Sequence, residues 1–234
     1  MKKSIKIILA ASFALLCLSN VKAAKSFEGV ITYDIKIDNS AGTIPQEQMA
    51  MFEGSTLTLY TKEDFTKVQM SMGPIQSTTI TDKKSNVITT LFNTMGQKMM
   101  TKMKLDSLMK AGKGNVNEPT YKYDSETKTI AGYLCKKAEM TVVDKKTGEK
   151  ITSVVYYTED IPALDHNVEG VGGYPNGLKG YPLEYEIHRK GITMKMTAKS
   201  VEKKTLTNAD FAIPDGYTLM SLDQMKMMQQ GGGH

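Results

Sequence analysis

The sequence predicts a mainly β protein of the α+β class. We expect a single strongly curved antiparallel sheet, a half-open barrel, with about three short helices covering its concave side. Three observations carry this. Apolar and polar residues alternate strictly in segment after segment, as in Ile192-Thr-Met-Lys-Met-Thr-Ala-Lys199, the mark of half-buried antiparallel strands. Polar, turn-forming stretches separate those segments. Helical spacing appears in only three short places.

The N-terminus stands apart from the fold. Met1–Lys6 is basic, Ile7–Leu18 is almost continuously apolar, and Asn20–Ala24 ends in small residues, with Val21 and Ala23 as the small pair. This three-part pattern predicts a secretory signal peptide over 1–23. The apolar run falls short of the ~20 residues that span a bilayer, so no transmembrane span remains after its removal. Leu16 before Cys17 argues against a lipoprotein-type cut. The expected location is the periplasm, with outer-membrane association or secretion also compatible. Removing the four lysines of this segment takes the formal charge from +5 to +1. With Arg189 as the only arginine, there is no bidentate phosphate clamp, and no nucleic-acid partner is expected. Cys135 is then the only cysteine, which excludes an intramolecular disulfide. Residues 24–234 are expected to form one domain stabilised by its core.

In chain order, Phe27–Asp38 places Phe27, Gly29, Ile31, Tyr33, Ile35 and Ile37 on one face. Thr43-Ile-Pro-Gln46 has capping-box spacing with an early proline, and Gly54 can stop the helix it starts. Val68, Met70 and Met72 share a strand face. Asp82–Asn86 reads as a hairpin turn. Leu105, Leu108 and Met109 have helical spacing, ended by Gly112. Ala138, Met140 and Val142 alternate with Lys137, Glu139 and Thr141, and Asp144–Gly148 reads as the next turn. Thr158–Gly180 is irregular and glycine-rich. Tyr181, Leu183, Tyr185 and Ile187 alternate with Glu184, Glu186 and His188, and Arg189–Gly191 turns the chain into Ile192–Lys199. Ser221-Leu-Asp-Gln224 is a second capping box, predicting a short C-terminal helix from about 221. Helices this short need a surface to pack on, and the sheet supplies it.

The chemistry-bearing motifs are sparse. Cys135 and His188 are the elements of a thiol–imidazole pair, but Cys135 falls at the start of a strand, where a lone cysteine serves as a small structural residue. Gly170–Gly177 lacks both the third fingerprint glycine and a following helix. Glu159, Asp160, Asp165, Glu184 and Glu186 read as solvated charges. No catalytic residue, metal or cofactor is expected.

Methionine is the real excess, at 17 residues against no tryptophan. It recurs as Met-x-Met at Met49/Met51, Met70/Met72, Met194/Met196 and Met225/Met227. Unbranched thioether side chains fill irregular space and repack around varied partners. We therefore expect Met70, Met72, Tyr185, Ile187, Met194 and Met196 to line a deformable apolar cavity for acyl chains or apolar peptide segments. Each buried CH₂ contributes ~0.8 kcal/mol, so such a site needs no polar recognition. Two other readings stay open. One is an envelope interaction or structural protein whose core is filled by its own side chains. The other is a thioether site for Cu(I), which suits soft sulfur ligands. The sequence specifies no protein partner.

Thr127-Lys-Thr-Ile-Ala-Gly-Tyr-Leu-Cys-Lys-Lys-Ala138 resembles a signature of exported proteins of Bacteroidetes-type bacteria. Leu206-Thr-Asn-Ala-Asp-Phe-Ala-Ile-Pro-Asp-Gly-Tyr217 resembles the closing segment of lipoprotein-carrier-like domains. Together these resemble the envelope family called domain of unknown function 4412, similar in turn to the LolA/LolB type of periplasmic lipoprotein carriers. The resemblance spans roughly residues 27 to 220. It implies a half-open barrel with helices lining its mouth and hydrophobic-ligand binding as the ancestral activity, which for this chain means a lipid or the acyl chain of a lipoprotein. The carriers control opening with an arginine inside the cavity, whereas Arg189 falls at a predicted turn.

Overall fold

Wherever apolar and polar residues alternate, the chain is extended. The computed structural model describes residues 27–107, 118–145, 147–163, 177–189, 192–221 and 224. The predicted signal peptide, most of the helix expected after Leu105, most of the glycine-rich stretch and the body of the C-terminal helix lie outside the described residues. The strands are β1 (Gly29–Asp38), β2 (Thr56–Lys62), β3 (Phe65–Met72), β4 (Ile75–Asp82), β5 (Val87–Thr94), β6 (Gln97–Lys104), β7 (Thr120–Ile130), β8 (Tyr133–Val143), β9 (Lys150–Thr158), β10 (Tyr181–Arg189), β11 (Ile192–Lys203) and β12 (Thr218–Leu219).

All belong to one 12-stranded sheet in the order β12-β6-β5-β4-β3-β2-β1-β11-β10-β9-β8-β7. Two meanders build it. The first runs outward from β1 to β6. The second starts at the far edge with β7 and walks back until β11 pairs with β1 in antiparallel register. The N-terminal strand therefore sits in the middle of the sheet. β7 and β12 remain edges, so the sheet does not close into a barrel. One pairing departs from the antiparallel expectation: β12 runs parallel to β6, because the C-terminal segment returns alongside the sheet instead of by a hairpin.

Curvature is strongest in the second meander. Four strand spacings separate β7 from β11, about 19 Å on a flat sheet, yet their Cα atoms approach within 8 Å. A register shift in β7 between Tyr123 and Thr127, and another between Pro182 and Glu184 of β10, supply the bends that such curling needs. Two hairpin turns carry positive φ at both central positions, Met95-Gly96 at 51° and 83° and Ala131-Gly132 at 49° and 83°, the geometry that matches strand twist.

Side chains alternate across the sheet, and in β2–β6 the two faces differ sharply. One face carries Lys62, Lys67, Asp82, Lys98, Lys102 and Lys104. The other carries Leu57, Leu59, Thr66, Val68, Met70, Met72, Thr79, Phe92, Met99 and their neighbours, with no charged residue. The main core occupies the uncharged face and continues onto β1 and β8–β11, through Ile31, Tyr33, Ile35, Val155, Leu183, Tyr185 and Met196. A smaller core lies on the charged face. There the C-terminal segment lays Leu206, Phe211 and Tyr217 against Val30, Ile80, Leu91 and Met100. Lys62 and Lys67 each donate to a carbonyl of that segment, at Leu206 and Asp210.

The helices differ in detail from expectation. A short α1 (Gln46–Met49) runs into a 3-10 turn over Ala50–Phe52, and Gly54 with φ 70° ends it as expected. Its start is not the predicted Thr43 box: Pro45 holds the cap position without a side-chain bond. Asn39 stabilises the approach instead, bonding both the N–H and the carbonyl of Ile44. A helical turn begins at Leu105. The Ser221 box does form: Ser221 N–H donates to Gln224 Oε1 at 2.8 Å, and Gln224 N–H donates to Ser221 Oγ at 3.2 Å. No helix among the described residues is long and apolar enough to cross a membrane. The covering of the concave side by three helices that the sequence predicts falls mostly on residues outside those described.

Candidate functional site

The six predicted lining residues converge on the uncharged face, and register explains how. Met194 lies opposite Ile37 on one side and Ile187 on the other; Met196 lies between Ile35 and Tyr185. Two apolar rows thus cross three strands. Met70 pairs with Leu57, which pairs with Tyr33, and the Tyr33 ring meets Tyr185 edge-on at 5.8 Å. Met72 ends β3, opposite Ile75.

Burial divides this set in two. Met196 is 0% exposed, and Tyr185 and Ile187 are buried beside it. That deep end is filled by the protein's own side chains. Met70, Met72, Met194 and Ile37 are only partly buried against the same core, so they form its open end. Of these only Ile37 lines the apolar groove of about 350 Å³ that separates β1 from the helical segment, together with Ile35, Met49 and Phe52 and with Lys36, Glu53 and Gly54 at its margin; none of the six predicted residues is among its lining. The local sequence makes the gap. Ile35 N–H bonds the Ser55 carbonyl at 2.9 Å, which ties the helical segment to β1 just beyond Gly54. Gly73, with φ 55°, lets the β3–β4 turn pass under Met51: a Cβ there would stand 2.3 Å from the Met51 carbonyl oxygen. Met49 and Phe52 face the sheet across the gap, and neither was foreseen as lining.

The carboxylates divide similarly. Reading Glu184 as a solvated charge is incorrect: it is 4% exposed. Lys128 Nζ lies 3.0 and 2.8 Å from its two oxygens, Lys195 Nζ lies 3.0 Å away, and Thr197 Oγ1 donates at 3.1 Å. Burial alone would raise the Glu184 pKa, but the hydrogen bonds from Lys128 and Lys195 and their charges hold it below the usual carboxylate range. Because Lys128 sits on β7 and Glu184 on β10, this cluster pins the curl of the second meander. An adjoining chain continues it, with Tyr156 O–H donating to Glu126 at 2.5 Å and Lys137 pairing with the same carboxylate at 2.7 Å. Sequence periodicity puts Glu184 on a polar face, and only the curl of β7 over that face buries it.

Cys135 is a buried free thiol. Burial pushes its pKa up to about 11, so it carries little thiolate and is a poor nucleophile. His188 Nδ1 lies 2.9 Å from Thr193 Oγ1, and its Nε2 lies 3.6 Å from Glu186. Among the described residues, no three His, Cys, Asp or Glu side chains gather as a metal site would require.

No known protein family and no curated protein matches the chain. Among solved structures it is similar to LprF from Mycobacterium bovis, at 12% identity, covering 81% of this chain and 90% of that one with a TM-score of 0.38. It is likewise similar to the Mycobacterium tuberculosis lipoprotein LppX, at 8% identity, covering 77% and 89% with a TM-score of 0.40. Likenesses at these scores carry no functional inference, and no family model supports the expected resemblance to the domain of unknown function 4412 family.

Proposed function

We propose that the chain is an exported, non-enzymatic binding module that takes an apolar ligand, a lipid or a lipoprotein acyl chain, in the cell envelope. One observation carries this reading: the uncharged face ends in an open apolar groove lined by Ile35, Ile37, Met49 and Phe52, on the same sheet face as the partly buried Met70, Met72 and Met194. Ligand sites are concave and mainly apolar, with few polar groups, and unbranched methionines tolerate varied occupants. The N-terminal pattern supports export, and the buried, protonated Cys135 agrees with a role other than catalysis. The filled deep end around Met196 confines the ligand to the outer half of the face.

That same filled end favours a second reading, an envelope interaction or structural protein. Titration of an apolar fluorescent probe separates the two. Saturable fluorescence enhancement that palmitate reverses, and that weakens when Ile37 is changed to Asp at the groove, supports binding. Absence of any enhancement refutes it. Cu(I) coordination by Met194 and Met196 ranks third, because Met196 is fully enclosed among side chains of the core.

A further inference from the structure

The uncharged face is not uniformly apolar. Register aligns Thr61, Thr66 and Thr81 in one cross-strand row and Thr79, Thr90 and Thr101 in the next. β4 joins the rows, since Thr81, Thr79 and Ser77 succeed one another on the same face. Ser77 in turn lies opposite both Met70 and Phe92. The hydroxyl rows therefore run diagonally over five strands and end beside the partly open methionines. Thr61, Thr66, Thr81 and Thr101 are each more than nine-tenths buried. None of these hydroxyls bonds another described residue. None is among the polar atoms sealed off without a partner, so they front space that a water molecule can reach.

Valine has the shape of threonine without the cost of desolvating a hydroxyl, and strands accept it at least as well. A face that spends four buried, valine-shaped positions on threonine meets something that hydrogen-bonds. That something carries no charge. Within β2–β6 this face holds no lysine or arginine to balance a carboxylate or phosphate, and an uncompensated buried ion is strongly disfavoured. A hydroxyl can both donate to an ester carbonyl and accept from an alcohol.

Building on the lipid-binding reading above, we infer that the ligand is a neutral acylglycerol. Its ester and hydroxyl groups lie on the threonine rows, and its acyl chain runs out along Met70, Met72 and the groove. Selection is then for an uncharged head, against free fatty acids and phospholipids.

The test uses the full mature chain and displacement of N-phenyl-1-naphthylamine, with 1-monopalmitoylglycerol and palmitate compared at pH 8 below their micellar limits. Two well-placed hydrogen bonds predict a preference of about tenfold or more for the monoacylglycerol. Thr79→Val/Thr90→Val changes no shape. With an unchanged urea midpoint, it should bring the two affinities within about twofold while leaving palmitate binding as it was. Equal affinities in the natural protein, or an undiminished preference in the double variant, overturn this inference alone. Displacement by neither lipid overturns the lipid-binding reading as well.

Discussion

Glu184→Gln isolates the charge that pins the curled half of the sheet. The substitution keeps the side chain's size and an acceptor for Thr197, and removes the attraction to two lysines. At separations near 3 Å and an effective dielectric near 20, each Lys–Glu pair is worth about 5.5 kcal/mol of Coulomb attraction. Burying the carboxylate costs several kcal/mol in return. Lys128 and Lys195 have side chains 44% and 42% exposed, so both regain hydration once the partner charge is gone. We expect a net loss of about 2–3 kcal/mol, seen as a fall in the urea midpoint at constant slope and a drop of roughly 5–10 °C in Tm. Because the folded pKa of Glu184 is depressed, its contribution is complete above the unfolded carboxyl value near 4.3 and is lost as pH falls through the folded value. The gap between natural protein and variant should stay constant from pH 6 to 8 and shrink in acid. In a double-mutant cycle, Glu184→Gln and Lys128→Met should cost less together than the sum of their separate effects. A variant within about 0.5 kcal/mol of the natural protein at neutral pH, or a gap that widens on acidification, refutes the reasoning.

The two methionines of β11 should separate in denaturation. Met196→Ala leaves a cavity in a filled core and should cost about 2–5 kcal/mol, whereas Met194→Ala at the open end should cost less than half as much; equal losses would contradict the division of the face. Cys135 should resist maleimide at pH 7.5 in the folded state and react at the rate of a free thiol in urea, with rapid native labelling as the contrary result. Met95, 85% exposed at φ 51°, holds a turn position that favours asparagine, so Met95→Asn should stabilise by about 0.5–1 kcal/mol in thermal unfolding; a lower Tm would count against the turn's geometry.

Strand positions and facing were legible because period-two alternation is a local signal. Met70, Met72, Tyr185, Ile187, Met194 and Met196 could be placed on one face from that signal alone. Pairing order was not. Nothing local to Gly29–Asp38 says that it lies between β2 and β11, because the contact that decides it is made some 160 residues later in the chain. The same limit hid the Lys128–Glu184 contact and the packing of Leu206 and Phe211 on the charged face. Capping was mixed for a physical reason: the Ser221 box is closed by its own side chains, whereas Thr43 loses its place to the reach of Asn39. The groove escaped notice because Met49 and Phe52 acquire their role only through the passage of the Gly73 turn under Met51. The threonine rows were visible as residues but not as rows, since register aligns them.

Native mass spectrometry of the protein isolated from the envelope of its own cells bears most directly on the central claim. The account predicts a bound species of lipid mass that is lost on mild activation and depleted in an Ile37→Asp variant of unchanged stability. A reproducibly ligand-free spectrum, with equally little lipid in both proteins, would contradict it.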